Sequence, residues 1–381
     1  MGQGGRGERV AMRRVCLLVN GPGELWGWAR PLVRELSNRG LAVTVWLLSC
    51  PFATGLEELL AGSWNVEVVG PSGAFREFWE MRRGGRGIDL VLQLGGDLFF
   101  GRTLARAEGS PLACYTYGYK PGLSRCAAAW TAFENMAEGL RRKGIRAEPI
   151  GDLVADALMV DDGVSPWKLK ESKKIALFPG SRPAIRKRAL SYLGEVVKIL
   201  RELDDRVEFA ALLSPFCTRE EREMWSEAGL NPTTSGTRQV LADADMALTQ
   251  PGTNTLELLH MAVPALVVVP FAFLRDIPVS GVKGWASGLP VIGGTFKEFV
   301  LRVAAKHRGY LSWPNRIAGR EVLPEIVGVV KPQALAQLIF ERLSDREWQS
   351  SCREELRRIS AESASRGASA RLCARLKELI S

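Results

Sequence analysis

Ala247-Leu-Thr-Gln-Pro-Gly-Thr-Asn-Thr-Leu-Glu257, followed by the apolar run Ala265-Leu-Val-Val-Val269, sets out a strand, a turn, a helix and a second strand in succession. The turn falls at Pro251-Gly252 and the helix opens near Thr253 or Asn254. Gly252 lets backbone approach a ligand closely, and a helix start offers unpaired N–H groups and the positive end of a dipole, which suits a phosphate. Glu257 falls in the first helical turn, where its carboxylate can bond a ribose hydroxyl. An ordinary strand-turn-helix with a capping Thr is described by the same residues, so the neighbouring segments decide.

Upstream, Lys174-Ile-Ala-Leu-Phe178 turns at Pro179-Gly180-Ser181-Arg182. Gly180 and Ser181 supply donors and Arg182 a planar fork, an arrangement suited to a diphosphate. The basic run Arg186, Lys187, Arg188 that follows reads as a solvated helix face. Val207 to Leu213 is the next strand and Glu220 to Ala228 a helix.

The first half repeats the pattern. Val15-Cys-Leu-Leu-Val19 is a buried strand, Gly21-Pro-Gly23 its turn, and Ala29 to Arg39 a helix closed by Gly40. Further strands fall at Ala42 to Leu48, Asn65 to Val69, Leu90 to Leu94 and Cys126 to Phe133, with helices at Phe100 to Ala107 and onward to Arg142. Such alternation predicts an α/β chain of two Rossmann-like domains facing a central cleft, with ligands at the carboxyl ends of parallel strands. The expected division is residues 1–160, a polar linker at 161–173, a second domain at 174–345, and C-terminal helices at 346–381, one of which packs back on the first domain.

Gly21 to Trp28 and Gly95-Gly96-Asp97 then share one rim. Asp97 is the candidate general base, since a strand-end carboxylate can take a proton from an attacking hydroxyl; the alternative is a helix N-cap. Glu24 is a second acid or a solvated residue.

At 381 residues and 46% hydrophobic content, two globular domains are expected. The longest apolar run, Val263 to Leu274, is interrupted by Pro264 and Pro270. It falls short of the ~20 residues that span a bilayer, so no transmembrane helix is expected. The apolar stretch Val15 to Val19, behind Arg6, Arg9, Arg13 and Arg14, is too short for a signal-peptide core, and a cytoplasmic location follows. Seven scattered cysteines without a C-x-x-C pair read as core residues, not as disulfides or a zinc site. The net charge of +9 suits an anionic partner. No recognition helix or RNA-binding signature points to nucleic acid. Phe75, Phe78, Trp79 and Met81 lie at nearly helical spacing beside Arg82, Arg83 and Arg86. Core packing explains such a cluster most often; an anionic membrane interface is the other reading.

Gly309-Tyr-Leu-Ser-Trp-Pro-Asn-Arg-Ile-Ala-Gly-Arg-Glu-Val-Leu-Pro-Glu325 closely resembles the signature of the lipid-A-disaccharide synthase family. Phe178-Pro-Gly-Ser-Arg182, Thr253-Asn-Thr-Leu-Glu257 and Gly151 to Leu158 resemble further segments of that family, in the right order. The resemblance is strongest over residues 174–345. It implies a GT-B-type, inverting glycosyltransferase that takes a UDP-sugar as co-substrate, needs no metal or other cofactor, and releases UDP. The implied acceptor is a lipid-linked sugar, an acylated glucosamine 1-phosphate, met at the inner membrane surface by a peripherally associated protein, and a homodimer is left open. Carried over by position, the resemblance puts Arg182, Glu257, Asn315, Arg320 and Glu321 on the nucleotide-sugar side, beside Gly180, Ser181, Gly252, Thr253 and Asn254 of the two turns. Asp97 is similar to the family's probable base, and on the membrane reading of the aromatic cluster Phe75, Phe78, Trp79, Arg82 and Arg83 would make the contact. A related GT-B transferase with another lipid or sugar acceptor, a UDP-N-acetylglucosamine 2-epimerase and a non-catalytic nucleotide-sugar-binding protein are the rival readings. With only His260 and His307 in the chain, a histidine-centred triad or zinc site competes poorly.

The N-terminal half departs from that family. Its Gly-Glu-Ala-Ser-Gly-Asp motif stands here as Gly21-Pro-Gly-Glu-Leu-Trp-Gly27, and its acceptor-side stretch as Tyr115-Thr-Tyr-Gly-Tyr-Lys-Pro121. Ala184 and Ile185 occupy the region where a Glu usually follows Pro-Gly-Ser-Arg.

Overall fold

The structure, a computed structural model, describes residues 12–51, 53–160, 163–270, 309–362 and 366–380; Asp161 of the expected linker and His307 lie outside the described residues. The chain forms two compact units, Met1–Leu153 with Gly367–Ser381, and Val154–Arg366.

The first unit contains β1 (Arg14–Val19), β2 (Ala42–Leu47), β3 (Glu67–Val69), β4 (Leu90–Leu94), β5 (Leu112–Tyr115), β6 (Ala128–Thr131) and β7 (Ala147–Pro149). Among the described residues these make one seven-stranded sheet in the order β3-β2-β1-β4-β5-β6-β7. Every pairing is parallel. Helices on both faces explain why strands such as β4, Leu-Val-Leu-Gln-Leu, are buried along their whole length instead of alternating. The strand order reverses between β1 and β4, and a crevice opens at the carboxyl ends on either side of such a reversal.

Behind β1 the structure corrects the expected turn at Gly21–Gly23. Gly21 is an extended N-cap, and α1 begins at once with Pro22. It passes through a π-helical turn, Leu25–Ala29, and continues as Arg30–Asn38. Proline at the first helical position loses no hydrogen bond, so it starts the helix rather than delaying it. Glu24 is therefore helical and Trp28 is buried. The other helices are α2 (Glu57–Gly62), α3 (Ala74–Arg83), α4 (Leu98–Glu108), α5 (Glu134–Arg141) and α6 (Leu153–Met159), which carries the boundary between the units.

The second unit holds β8 (Lys173–Leu177), β9 (Val207–Leu212), β10 (Pro232–Thr233), β11 (Met246–Thr249), β12 (Ala265–Pro270) and β13 (Glu325–Gly328). They form, among the described residues, a six-stranded parallel sheet in the order β10-β9-β8-β11-β12-β13, reversing between β8 and β11. Its helices are α7 (Pro183–Leu203), α8 (Arg219–Glu227), α9 (Thr237–Asp243), α10 (Asn254–Met261), α11 (Trp313–Ala318), α12 (Pro332–Ser344) and α13 (Arg346–Glu362). Ile175, Leu200, Phe209, Trp225 and Leu335 are at the centre of its core.

The C-terminal helices expected at 346–381 divide at Gly367. Gly367 takes a left-handed φ of +78°, and α14 (Ala368–Ile380) begins after it. Helix α13 packs on α10, whereas α14 packs on α1 of the first unit, where Arg371 Nε donates to the Ile150 carbonyl at 2.8 Å.

Candidate functional site

In the second unit the two turns singled out in the sequence follow neighbouring strands. β8 and β11 pair directly, and Gln250, just past β11, donates through Nε2 to the Pro179 carbonyl at 2.9 Å, tying one turn to the other. Gly180 has φ +98°, and a Cβ there would come within 3.3 Å of both Gln250 and Ile185, so only glycine suits the bend. Arg182 is the N-cap of α7, and Pro183 opens that helix. Past β11, the Asn254 amide donates to Thr249 Oγ1 at 2.5 Å and Thr255 Oγ1 to the Gly252 carbonyl at 2.7 Å. Helix α10 follows Thr253, whose side chain makes no capping bond, and the half-buried Glu257 lies in its first turn. Gly180, Ser181, Arg182, Gly252, Thr253, Asn254 and Glu257 thus gather at the strand-order reversal, beside two helix N-termini, an arrangement able to hold an anion.

Asn315 requires a correction. It is fully buried, and all four of its amide capacities are used inside the protein. Nδ2 donates to the Leu323 carbonyl at 2.7 Å and to Glu325 at 2.8 Å, while Oδ1 accepts from Val322 and Leu323 N–H. Glu325 also accepts from the Leu311 and Ser312 N–H groups. Asn315 therefore braces the α11–β13 connection, which meets α10 where Trp313 N–H donates to Thr255 Oγ1 at 3.1 Å. Arg320 is ion-paired with Glu355 of α13, and Glu321 is exposed. Arg358 and Arg320 together hold the Glu355 carboxyl below its usual range.

Arg186 is also corrected: it is not solvated but fully buried, paired with Glu221 of α8. A basic run seen in sequence gives no sign of a carboxylate 35 positions away.

In the first unit, Asp97 is the N-cap of α4, accepting from Phe99 N–H at 2.9 Å, and is itself exposed. Gly95 and Gly96 have φ of +74° and +66°. A Cβ at Gly95 would strike Glu24 at 2.9 Å, and one at Gly96 would strike Asn20 at the same distance. The two glycines thus let Glu24 and Asn20 lie against the backbone just before Asp97. Lys120 Nζ donates to the Gly96 carbonyl at 2.6 Å. Asn20, Glu24, Asp97 and Lys120 accordingly surround the crevice between β1 and β4.

Sequence reasoning missed a set beside it. Trp28 Nε1 donates to the Tyr117 hydroxyl at 3.0 Å, and that hydroxyl donates to the fully buried Asp152 at 2.5 Å. Burial, and then the Asp152 carboxylate, push the Tyr117 phenol well above its usual value near 10, so it stays a donor. The available signal was position: Tyr117 follows β5 and Asp152 follows β7, both at carboxyl ends.

On α3, Met81 and Glu77 are buried, as core packing requires, but Phe75 is 79% and Trp79 46% exposed. Phe78 stacks on Phe99, itself 51% exposed, with ring centres 5.6 Å apart. Arg76, Arg82 and Arg83 are exposed around them. The core explanation therefore holds for Met81 and fails for Phe75 and Trp79. Among the described residues, no helix is long and apolar enough to cross a membrane, and no cluster of His, Cys, Asp and Glu is placed to hold a metal ion.

No protein-family model matches the chain. The lipid-A-disaccharide synthase of Alkalilimnicola ehrlichii is 28% identical over 232 residues, 55% of this chain and 52% of that protein. That of Myxococcus xanthus is 27% identical over 206 residues, 52% of this chain and 48% of its own. The chain thus spans about half the length of the curated relatives it matches. A UDP-GlcNAc 2-epimerase from Neisseria meningitidis, solved bound to UDP-GlcNAc, has a TM-score of 0.59 at 14% identity, covering 96% of this chain and 100% of that one. The glycotransferase of kitacinnamycin has a TM-score of 0.54 at 15% identity, covering 97% and 99%. The chain is a protein of two Rossmann-like units with the GT-B fold, and in sequence it resembles lipid-A-disaccharide synthases over about half its length.

Proposed function

We propose that the chain is a UDP-sugar glycosyltransferase of the lipid-A-disaccharide synthase type. It transfers an acylated glucosamine from UDP to an acylated glucosamine 1-phosphate and releases UDP. The observation that carries this reading is the pair of tied turns after β8 and β11, with the N-termini of α7 and α10 beside them. The similarity to curated lipid-A-disaccharide synthases supports it.

In this reading the second unit binds the donor. Arg182 and the two helix starts meet the diphosphate, Glu257 meets the ribose, and positive charge accumulates where the leaving UDP becomes more anionic. These groups stabilise departure without a metal ion. The first unit serves the acceptor: its hydroxyl attacks the anomeric carbon as Asp97 removes the proton, and a single displacement inverts that carbon. Glu24, Asn20 and Lys120 orient the acceptor, and the exposed aromatics of α3 with Arg76, Arg82 and Arg83 rest on an anionic membrane surface.

The test is UDP release from UDP-2,3-diacylglucosamine by the purified chain, with and without 2,3-diacylglucosamine 1-phosphate. Acceptor-dependent release with a disaccharide product is expected. UDP binding without transfer would sink the catalytic reading, and interconversion of UDP-N-acetylglucosamine with its 2-epimer would favour the epimerase.

A further inference from the structure

Arg186 is fully buried in the first turn of α7, the positive end of that helix, where a cation is least welcome. Its fork spans two partners. Nε and Nη2 bond Glu221 at 2.5 and 2.9 Å, and Nη1 donates to the Ser181 carbonyl. Glu221 is itself fixed, since its N–H is capped by Thr218 at 3.2 Å. The Arg186 side of the pair is buried and Glu221 half-buried; an ion pair so largely removed from water is a poor device for stability alone, because well-packed apolar residues of similar volume often serve as well or better. What an apolar pair cannot supply is a donor for the Ser181 carbonyl.

That carbonyl belongs to the peptide joining Ser181 to Arg182, in the turn read above as the diphosphate cradle. A trans peptide is planar, with its C=O and N–H on opposite sides. Holding the Ser181 oxygen inward therefore turns the Arg182 N–H outward.

We propose that Arg186, held by Glu221, is a positioning residue of the nucleotide site: it fixes the Ser181–Arg182 peptide so that the Arg182 N–H faces a nucleoside diphosphate. This rests on the donor reading of the second unit. Loss of the contact frees the peptide to flip and present an oxygen to the diphosphate, which repels it.

The test compares wild type with the double variant Arg186→Met/Glu221→Met by thermal denaturation, UDP calorimetry, and amide exchange of the 178–186 segment without ligand. The expected result is a melting temperature within a few degrees of wild type, UDP binding weaker by about tenfold or more, and faster exchange in that segment. Glu221→Gln, which still accepts from the fork, should keep most of the affinity. Wild-type affinity and exchange in the double variant would overturn the proposal and leave the donor reading standing. Failure of the wild-type chain to bind UDP would overturn both. If the double variant melts early, Arg186→Lys carries the same comparison, because a single ammonium can pair with Glu221 without reproducing the fork to Ser181.

Discussion

Replacing Asp97 separates the capping role that its side chain plays in the structure from the base role proposed for it. As the N-cap of α4, Asp97 accepts from Phe99 N–H at 2.9 Å; in the proposed reaction it also takes the acceptor's proton. Asparagine ranks with aspartate as an N-cap but is no base, so Asp97→Asn should leave stability within a few tenths of a kcal/mol and lower turnover by about 10²–10⁴. Alanine abolishes both roles. Asp97→Ala should match the loss of turnover and also cost about 1 kcal/mol, which lowers the melting temperature of a domain of ~150–250 residues by about 2–4 °C. The assay is acceptor-dependent UDP release beside thermal denaturation for wild type and both variants. Turnover by Asp97→Asn above a third of wild type would refute the base. Equal melting temperatures for the two variants would refute the cap argument.

Asn315→Ala leaves the buried N–H and carbonyl of Leu323 and the half-buried N–H of Val322 without their partner, and should destabilise the second unit by about 3 kcal/mol in urea denaturation. An unchanged midpoint would show that the brace is dispensable. Phe75→Ser with Trp79→Ser should weaken flotation with anionic vesicles by tenfold or more while leaving UDP binding intact, since both side chains are exposed on α3; undiminished flotation would remove the membrane contact from this face. Folding favours the neutral phenol of Tyr117, whose pKa is raised well above the usual value near 10. The resulting stability is fully present below pH ~10 and lost as pH climbs above it. Tyr117→Phe should therefore reduce the alkaline slope of the urea midpoint, and an identical slope would contradict the assignment.

The parallel sheets were legible because strands buried on both faces are written as unbroken apolar runs, as in Val15–Val19 of β1 and in β12. The Gly180 and Gly252 turns were legible because glycine marks backbone that must bend or approach closely. What escaped was set by distance along the chain. Arg186 looks solvated until Glu221 is folded against it, and Trp28, Tyr117 and Asp152 meet only because β1, β5 and β7 end on one side of one sheet. The resemblance that points to Asn315 locates its segment but does not say whether the amide faces a ligand or the interior. The π-helical turn at Leu25–Ala29 has no composition of its own that marks it.

Helix α14 gives the first unit a discontinuous chain: a strand-rich body made of residues before the second unit and a cover made of residues after it. Leu372, Cys373 and Leu376 are buried in α14, and Leu32, Val33 and Leu36 in the α1 segment on which it packs. On a ribosome, the early body emerges well before its cover, with the second unit synthesised in between. Its α1 surface must wait or find a temporary partner, a window in which exposed apolar surface invites association. Substitutions in the buried face of α14 accordingly act on a unit whose sheet is made long before them.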